Sequence, residues 1–322
     1  MNIKNKRSFY LWALGGLLSV SLVLNLSFSN KARRHKKTAL QQTQALHLLQ
    51  ASSLEKAHAL QKEWKPNNGL PANVQGFMLT DKSGTRLIAP SSDSHISGVL
   101  LRYNEWELHI QDYFRKILQP GSKVLCLGGH IGIHALAISR LVGEKGRVFV
   151  FEPNPKTLPF LRANIALNNN PSNLTLYPFA AFSENKNIDF LQSTRNTGAS
   201  TALEKIPNSG APRATVKALA IDSLKDIEGP IDLLQMDIEG CEDEAVKGME
   251  KLITKSPNMV VIQEWTPWLI KDKKTYLQFW RNKGYDMARI DMSGLKPISD
   301  DELINMKGQC DLLIAKDLSP YL

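Results

Sequence analysis

The chain has 322 residues, of which 43% are hydrophobic, enough for one large domain with extensions and a sizeable core. Its formal net charge of +9 is concentrated at one end: residues 1–37 hold eight basic side chains and no acid, leaving 32 basic against 31 acidic residues elsewhere. A nearly neutral body excludes a duplex-sized basic surface, so no nucleic-acid partner is expected.

The basic terminus encloses Phe9 to Phe28, twenty residues without a charge. As a helix this run spans a hydrocarbon core about 30 Å thick. Ser27 and Ser29 offer small residues at the spacing of a cleavable signal peptide, but the run exceeds an ordinary signal core. Residues 1–37 are therefore expected to form a short basic tail, a single-pass transmembrane helix and a basic flank. Five basic residues follow the span within nine positions and three precede it, a bias toward a cytoplasmic C-terminal side. Residues 38–73 are expected to form a helical stalk or linker, in which Leu46, Leu49, Leu60 and Trp64 recur at near-helical intervals. The stretch lacks the flanking charges of a coiled coil, and "KPNNGLPAN" (Lys65 to Asn73) ends it.

From residue 74 to 322 the pattern is that of a folded domain. Over 74–120 a short strand or hairpin, "GFMLTDKSGTRLIAP", leads into an amphipathic helix from Trp106 to Leu118. Over 121–322 strands and helices alternate. "KVLCLG" reads as a strand, His130 to Leu141 as a helix, "GRVFVFEP" as a strand and "TLPFLRANIALNN" as a helix. Further strands are expected in "LTLYPFAAF", "IDLLQMDIEG" and "NMVVIQEW", the last two separated by a helix from Glu242 to Ile253. These strands are near-continuous apolar runs, as a parallel sheet covered on both faces requires. A helix from Lys273 to Lys283 then leads to "YDMARIDM" and "QCDLLIAKD", read as an antiparallel pair joined by an irregular loop at a sheet edge. The expected fold class is α/β, a doubly wound and mostly parallel sheet with that pair at its C-terminal end.

In such a sheet, ligands bind beyond the carboxyl ends of the strands, where the strand order reverses. Three features fall there. Gly128, Gly129 and Gly132 form a turn that opens a helix N-terminus to a ligand. Glu152 ends the next strand, twenty residues after Gly132, where a carboxylate can accept both hydroxyls of a ribose. "QMDIEGCEDE" ends a third strand, with Asp237 and Glu239 two residues apart and Glu242 to Glu244 placed to start a helix. His130 stands where a dinucleotide-binding turn needs its central glycine, so a nucleoside without a pyrophosphate suits the turn better than a nicotinamide cofactor. Cys126, Cys241 and Cys310 are odd in number and widely spaced, which argues against a disulfide framework and against zinc; no metal site is expected.

The ordered series "LCLGGHIGIHALAISRLVGEKGRVFVFEPNP", "NIALNN", "AAFSENKNIDF", "NTGAST", "IDSL" and "IDLLQMDIEGCEDEAVKG" resembles the FkbM family of S-adenosylmethionine-dependent methyltransferases, from about Val74 to Trp265. The resemblance implies a class I methyltransferase fold, Rossmann-like, with seven strands. It implies S-adenosyl-L-methionine as cofactor, with Gly128, Gly129, His130 and Gly132 at its methionine end and Glu152 on its ribose. Ala180 and Ala181, with Phe182 adjacent, would flank the adenine. Asp237 would sit near the reactive methyl group and Glu239 beside the acceptor, as the catalytic pair. The implied reaction is O-methylation of a carbohydrate, lipid-linked or small-metabolite acceptor, on a catalytic domain facing the cytoplasm. Proton acceptors near the acceptor site would come from Asp237, Glu239, Glu264, His130 and His134, and "RNTGAST" (Arg195 to Thr201) would cover it as a loop. Two positions depart from the family: it usually has aspartate where Cys126 stands and asparagine where His130 stands. The Cys126 departure motivates the alternative, a catalytically inactive scaffold of the same fold at a membrane.

Overall fold

The computed structural model describes residues 75–193, 196–202 and 212–322. The expected anchor, stalk and signal-like segment lie outside the described residues. Among the described residues no helix is long and apolar enough to cross a membrane.

The described chain opens with a hairpin of β1 (Gly76–Thr80) and β2 (Arg86–Pro90), followed by α1 (Ile96–Tyr103) and α2 (Leu108–Ile117). Then come β3 (Lys123–Leu127), α3 (Ile133–Val142), β4 (Arg147–Phe151), α4 (Leu158–Leu167) and β5 (Leu174–Tyr177). A second set of strands, β6 (Ala180–Ala181), β7 (Lys186–Leu191) and β8 (Arg213–Leu219), precedes β9 (Leu233–Met236). Two short helices, α5 (Glu242–Lys247) and α6 (Glu250–Thr254), lead to β10 (Val260–Trp265). The chain ends with α7 (Lys273–Asn282), β11 (Asp286–Asp291), β12 (Gly294–Pro297), α8 (Asp300–Asn305) and β13 (Cys310–Ala315).

The main sheet has eight strands in the order β12-β11-β13-β10-β9-β3-β4-β5. From β10 to β5 all neighbours are parallel, while β13 runs antiparallel to both β10 and β11. The chain starts at β3, winds outward through β4 and β5, and returns to β9 on the other side of β3. The switch point therefore lies between β3 and β9, where Leu127 pairs with Met236. Alternate residues of the same strands enter two different cores. Leu125, Leu127, Phe149, Phe151, Leu234 and Met236 face one helical layer, and Val124, Cys126, Val148, Val150 and Leu233 face the other. Burial on both faces explains why these strands read as unbroken apolar runs.

The hairpin before the sheet would be marginal alone. It is held by a third apolar cluster in which Phe77, Leu87 and Ile88 pack with Ile131, Leu136 and Phe160. Asn164 of α4 fastens it: its Oδ1 accepts the Ile88 amide at 2.6 Å, and its Nδ2 donates to the carbonyls of Ile88 and of Ile131, at 2.7 Å for the latter. One buried side chain thus joins the hairpin, a helix and the segment after β3.

Several expectations need correction. The helix expected from His130 starts at Ile133, because His130 (φ 45°) and Gly132 (φ 95°) hold the turn in the left-handed region. "LTLYPFAAF" is two strands in two sheets: β5 ends at Tyr177, Pro178 has no amide to continue the ladder, and β6 joins a separate sheet ordered β6-β8-β7. The helix expected from Glu242 to Ile253 is broken at Gly248, where a Cβ would lie 1.8 Å from the Phe182 carbonyl oxygen. Its second part, α6, is capped by Asp222 of "IDSL", which accepts the amides of Lys251 at 2.9 Å and Leu252 at 3.0 Å. The loop expected between the last two strands contains β12 and the capping-box helix α8, so the main sheet has eight strands rather than seven, and β13 lies inside it rather than at its edge.

Candidate functional site

The carboxyl ends of β3, β4 and β9 open into a cleft. Of the residues expected from sequence, Gly128, Gly129, His130, Glu152, Ala181 and Asp237 line it. His134 and Ala180 line it as well. Gly132, Phe182 and Glu239 do not. Gly132 is the N-cap of α3, where a Cβ would lie 2.8 Å from Leu161. Phe182 packs in the core of the small sheet with Ile188 and Phe190, with the Lys186 ammonium over its ring.

Gly128 sits where the two central strands almost touch. It has φ 90°, and a Cβ there would lie 1.9 Å from the Asp237 carbonyl oxygen, so only glycine lets Asp237 come this close. The Asp237 amide donates to the Leu127 carbonyl at 3.0 Å, which continues the ladder one residue past the strand. The amides of Gly128 and Gly129 both donate to the Phe151 carbonyl, at 3.0 and 2.9 Å, tying the turn to the end of β4.

Glu152 is 5% exposed and braced by its own surroundings. Its Oε2 accepts the His130 amide at 2.7 Å; its Oε1 accepts the Asn154 amide at 2.8 Å and the Thr157 hydroxyl at 3.0 Å. Burial pushes its carboxyl up to about 7, against the lowering effect of those donors. Oε1 has both of its acceptor positions filled by these donors, and Oε2 keeps one for a ligand hydroxyl.

Cys126 is fully buried and faces the core with Ala135 and Ile138 of α3. Its thiol donates to Gln235 Oε1 at 2.8 Å, and burial raises its pKa, the charges of Asp237 and Glu152 adding to the effect. It is not part of the cleft wall. A substitution at this position acts through packing.

Beyond Asp237 the structure gathers acids. Asp237, Glu239 and Glu264 of β10 place their carboxylate oxygens within 4.8 Å of one another. Burial, then the charges of Glu264 and Glu239, raise Asp237 well above the usual carboxylate range. Burial with Glu264 and Glu242 pushes Glu239 up to about 8. Glu264 is also raised by burial, although it accepts from Thr266 Oγ1 at 3.1 Å and Gln309 Nε2 at 2.7 Å. Glu242 is 3% exposed, and its Oε2 has no partner. Like charges this close are accommodated by keeping protons; an all-oxygen set of this kind also suits a divalent cation. Glu107 lies nearby at the N-cap of α2, hydrogen-bonded to His134 at 2.8 Å. Burial raises its carboxyl, but the hydrogen bond and charge of His134 outweigh that and lower it. Glu107, His130 and Glu239 all have φ between 45° and 54°, a strain of about 1 kcal/mol each that clusters at this end of the sheet.

Sequence reasoning missed Asp93, Asn154, Thr197 and Ser200. Thr197 opens the 3-10 turn of "NTGAST" and Ser200 follows it; both line the cleft, and Arg195 lies outside the described residues. The Thr197 hydroxyl meets both His130 Nε2, at 2.7 Å, and the Asp93 carboxylate. Asn154 Nδ2 donates to Ser200 Oγ at 3.2 Å. Asn154 and Thr197 stand inside quoted motifs, whereas Asp93 carries no sequence signal. Among the described residues no Lys or Arg lines the cleft.

Comparison with known proteins matches residues 127–287 to the methyltransferase FkbM domain. The chain is 27% identical over 197 residues to methyltransferase sdnD of Sordaria araneosa, covering 50% of this chain and 73% of that protein. Among solved structures, an rRNA methylase from Streptococcus thermophilus aligns with TM-score 0.39 at 10% identity, over 65% of this chain and 95% of that one. The precorrin-6y C5,15-methyltransferase of Geobacter metallireducens aligns with TM-score 0.36 at 16% identity, over 64% and 88%.

Proposed function

Because the chain belongs to the methyltransferase FkbM domain family, we propose that it binds S-adenosyl-L-methionine in the switch-point cleft and methylates a hydroxyl oxygen of a carbohydrate, lipid-linked or small-metabolite acceptor. One observation carries the reading: the glycine turn, the braced Glu152 and the acid group at Asp237 all stand at the carboxyl ends of three adjacent strands. When bound, the cofactor supplies an electrophilic methyl group on a positively charged sulfur.

The backbone of Gly128 and Gly129 would hold the methionine end, and Glu152 a ribose hydroxyl through the remaining lone pair of Oε2. Ala181 would flank the adenine, with Phe182 acting from behind it through the small sheet. The acids have the second task. A hydroxyl must lose its proton as it is methylated, and Asp237 with Glu239 is the group that would take it. Burial and the neighbouring acids raise both carboxyls, Glu239 to about 8, and a base poised near neutrality both accepts and later releases a proton.

Residues 1–37 would anchor the chain in a membrane through Phe9 to Phe28, with the catalytic domain, 74–322, on the cytoplasmic side beyond a 38–73 linker. The support is the uncharged run and its flanking charge. The alternative reading, a catalytically inactive scaffold of the same fold, is motivated by Cys126, whose thiol packs in the core. Transfer of labelled methyl from S-adenosylmethionine to a component of cell extracts, by the wild type and not by Glu152→Ala, tests the proposal. A wild-type chain that binds the cofactor but labels nothing across glycan, lipid and metabolite fractions would refute the assigned acceptors.

A further inference from the structure

The two ring nitrogens of His130 have different surroundings. Nε2 lies 2.7 Å from the Thr197 hydroxyl. Nδ1 has no hydrogen-bond partner among the described residues, and His130 lines the cleft.

The Thr197 hydroxyl has one hydrogen and two polar neighbours, His130 Nε2 and Asp93 Oδ2. Asp93 decides where that hydrogen goes. Its Oδ1 accepts the amides of His95 at 2.9 Å and Ile96 at 2.8 Å, and its Oδ2 accepts the Thr197 amide at 2.9 Å. A carboxylate met by amide donors on both oxygens is an acceptor only. Thr197 therefore donates to Asp93, and its oxygen accepts from His130, which puts the ring hydrogen on Nε2. The ring is neutral: burial lowers His130 to about 4, with Asp93 opposing and His134 adding to the effect. A neutral ring protonated at Nε2 presents a bare lone pair at Nδ1.

A ligand with an α-ammonium group brings a charged donor that needs acceptors once it leaves water. On this part of the wall the one open acceptor position of Glu152, on Oε2, is taken by the ribose in the reading above, and Cys126 is turned to the core. We propose that Asp93 and Thr197 are positioning residues that hold His130 in its Nε2–H form, so that Nδ1 accepts a hydrogen bond from the α-ammonium group at the amino-acid end of the bound cofactor. The ligand named here rests on the cofactor reading above; the state of the ring does not.

Long-range proton–nitrogen NMR of the full chain without ligand reads the ring directly, with His130→Phe identifying its signals. At pH 7 the wild type should show a protonated Nε2 and an unprotonated Nδ1, and Thr197→Val should give a mixture of tautomers. A ring protonated at Nδ1, or at both nitrogens, in the wild type overturns the proposal. Calorimetry then separates the ligand groups, using S-adenosylhomocysteine, which has the amino-acid end, and 5′-methylthioadenosine, which lacks it. His130→Phe should weaken the first at least about tenfold, as expected for a hydrogen bond to a charged group, and the second less than about twofold. Equal losses for both compounds, or an unchanged affinity for the first, overturn it. If the wild type binds neither compound, the cofactor reading fails and the ligand assignment with it, while the spectrum still decides the tautomer.

Discussion

Replacing Glu242 by Gln should make the chain more stable, and the gain should appear only as the pH rises. Glu242 is 3% exposed, one of its oxygens has no partner, and burial moves its carboxyl from the ordinary 4.5 to about 7. Below 4.5 the side chain is protonated in both the folded and unfolded states, and its stability contribution is fully present. Between 4.5 and about 7 the unfolded chain ionises while the folded one resists, so that contribution is lost as pH rises through the folded value. The interval corresponds to about 3 kcal/mol in full, of which about 2 kcal/mol falls between pH 5 and pH 8. The carboxamide of the Glu242→Gln variant has no proton to lose and fills the same space. Urea unfolding at both pH values, followed by fluorescence of the buried Trp265 and Trp280, measures the difference. Equal stability differences between wild type and variant at pH 5 and pH 8 would show that Glu242 is not held in the protonated form, and the argument for the acid group would fail with it.

Glu242 also helps to raise Asp237 and Glu239. If these acids take the acceptor's proton, methyl transfer should rise with pH toward about 8, the value for Glu239, and Glu242→Gln should move the rise to lower pH. A rate independent of pH between 6 and 9 would remove the acids from the step. Gly128→Ala and Gly84→Ala both place a side chain at positive φ, but only the first meets backbone, at 1.9 Å from the Asp237 carbonyl oxygen. The expected losses by urea unfolding are about 3 kcal/mol or more at Gly128 and about 1 kcal/mol at Gly84; equal losses would mean that the strand contact does not crowd the turn. Cys126→Asp should bury an unpaired carboxylate and destabilise the fold by about 3 kcal/mol or more, where a wall position would tolerate it. Tighter cofactor binding by that variant at unchanged stability would put residue 126 on the cleft wall after all.

Much of the fold is legible in the sequence because burial on both faces leaves a coarse mark. "KVLCL", "RVFVF" and "VVIQEW" are apolar whichever face one counts, and glycines follow where the chain must turn. The small sheet is less visible. "KNIDFL" has one exposed face and a partner, β8, reached only after an intervening loop, so its pairing has no local signal. Strand order is hidden for the same reason: nothing near Cys310 says that β13 slides between β10 and β11. At the site, Glu152 and Asp237 could be placed because strand ends and glycine spacing are sequence features. Asp93 could not, since its role depends on Thr197, 104 residues away. The direction in which Cys126 points follows from strand alternation, which motif membership does not reveal.

The central claim is that this cleft holds S-adenosylmethionine through Glu152. Calorimetric titration of the full chain with S-adenosylmethionine tests it most directly. The account predicts saturable binding by the wild type and at least about a tenfold loss in Glu152→Ala, which removes a charged acceptor from the site. No binding by a folded wild-type chain, or binding that Glu152→Ala leaves unchanged, would contradict it.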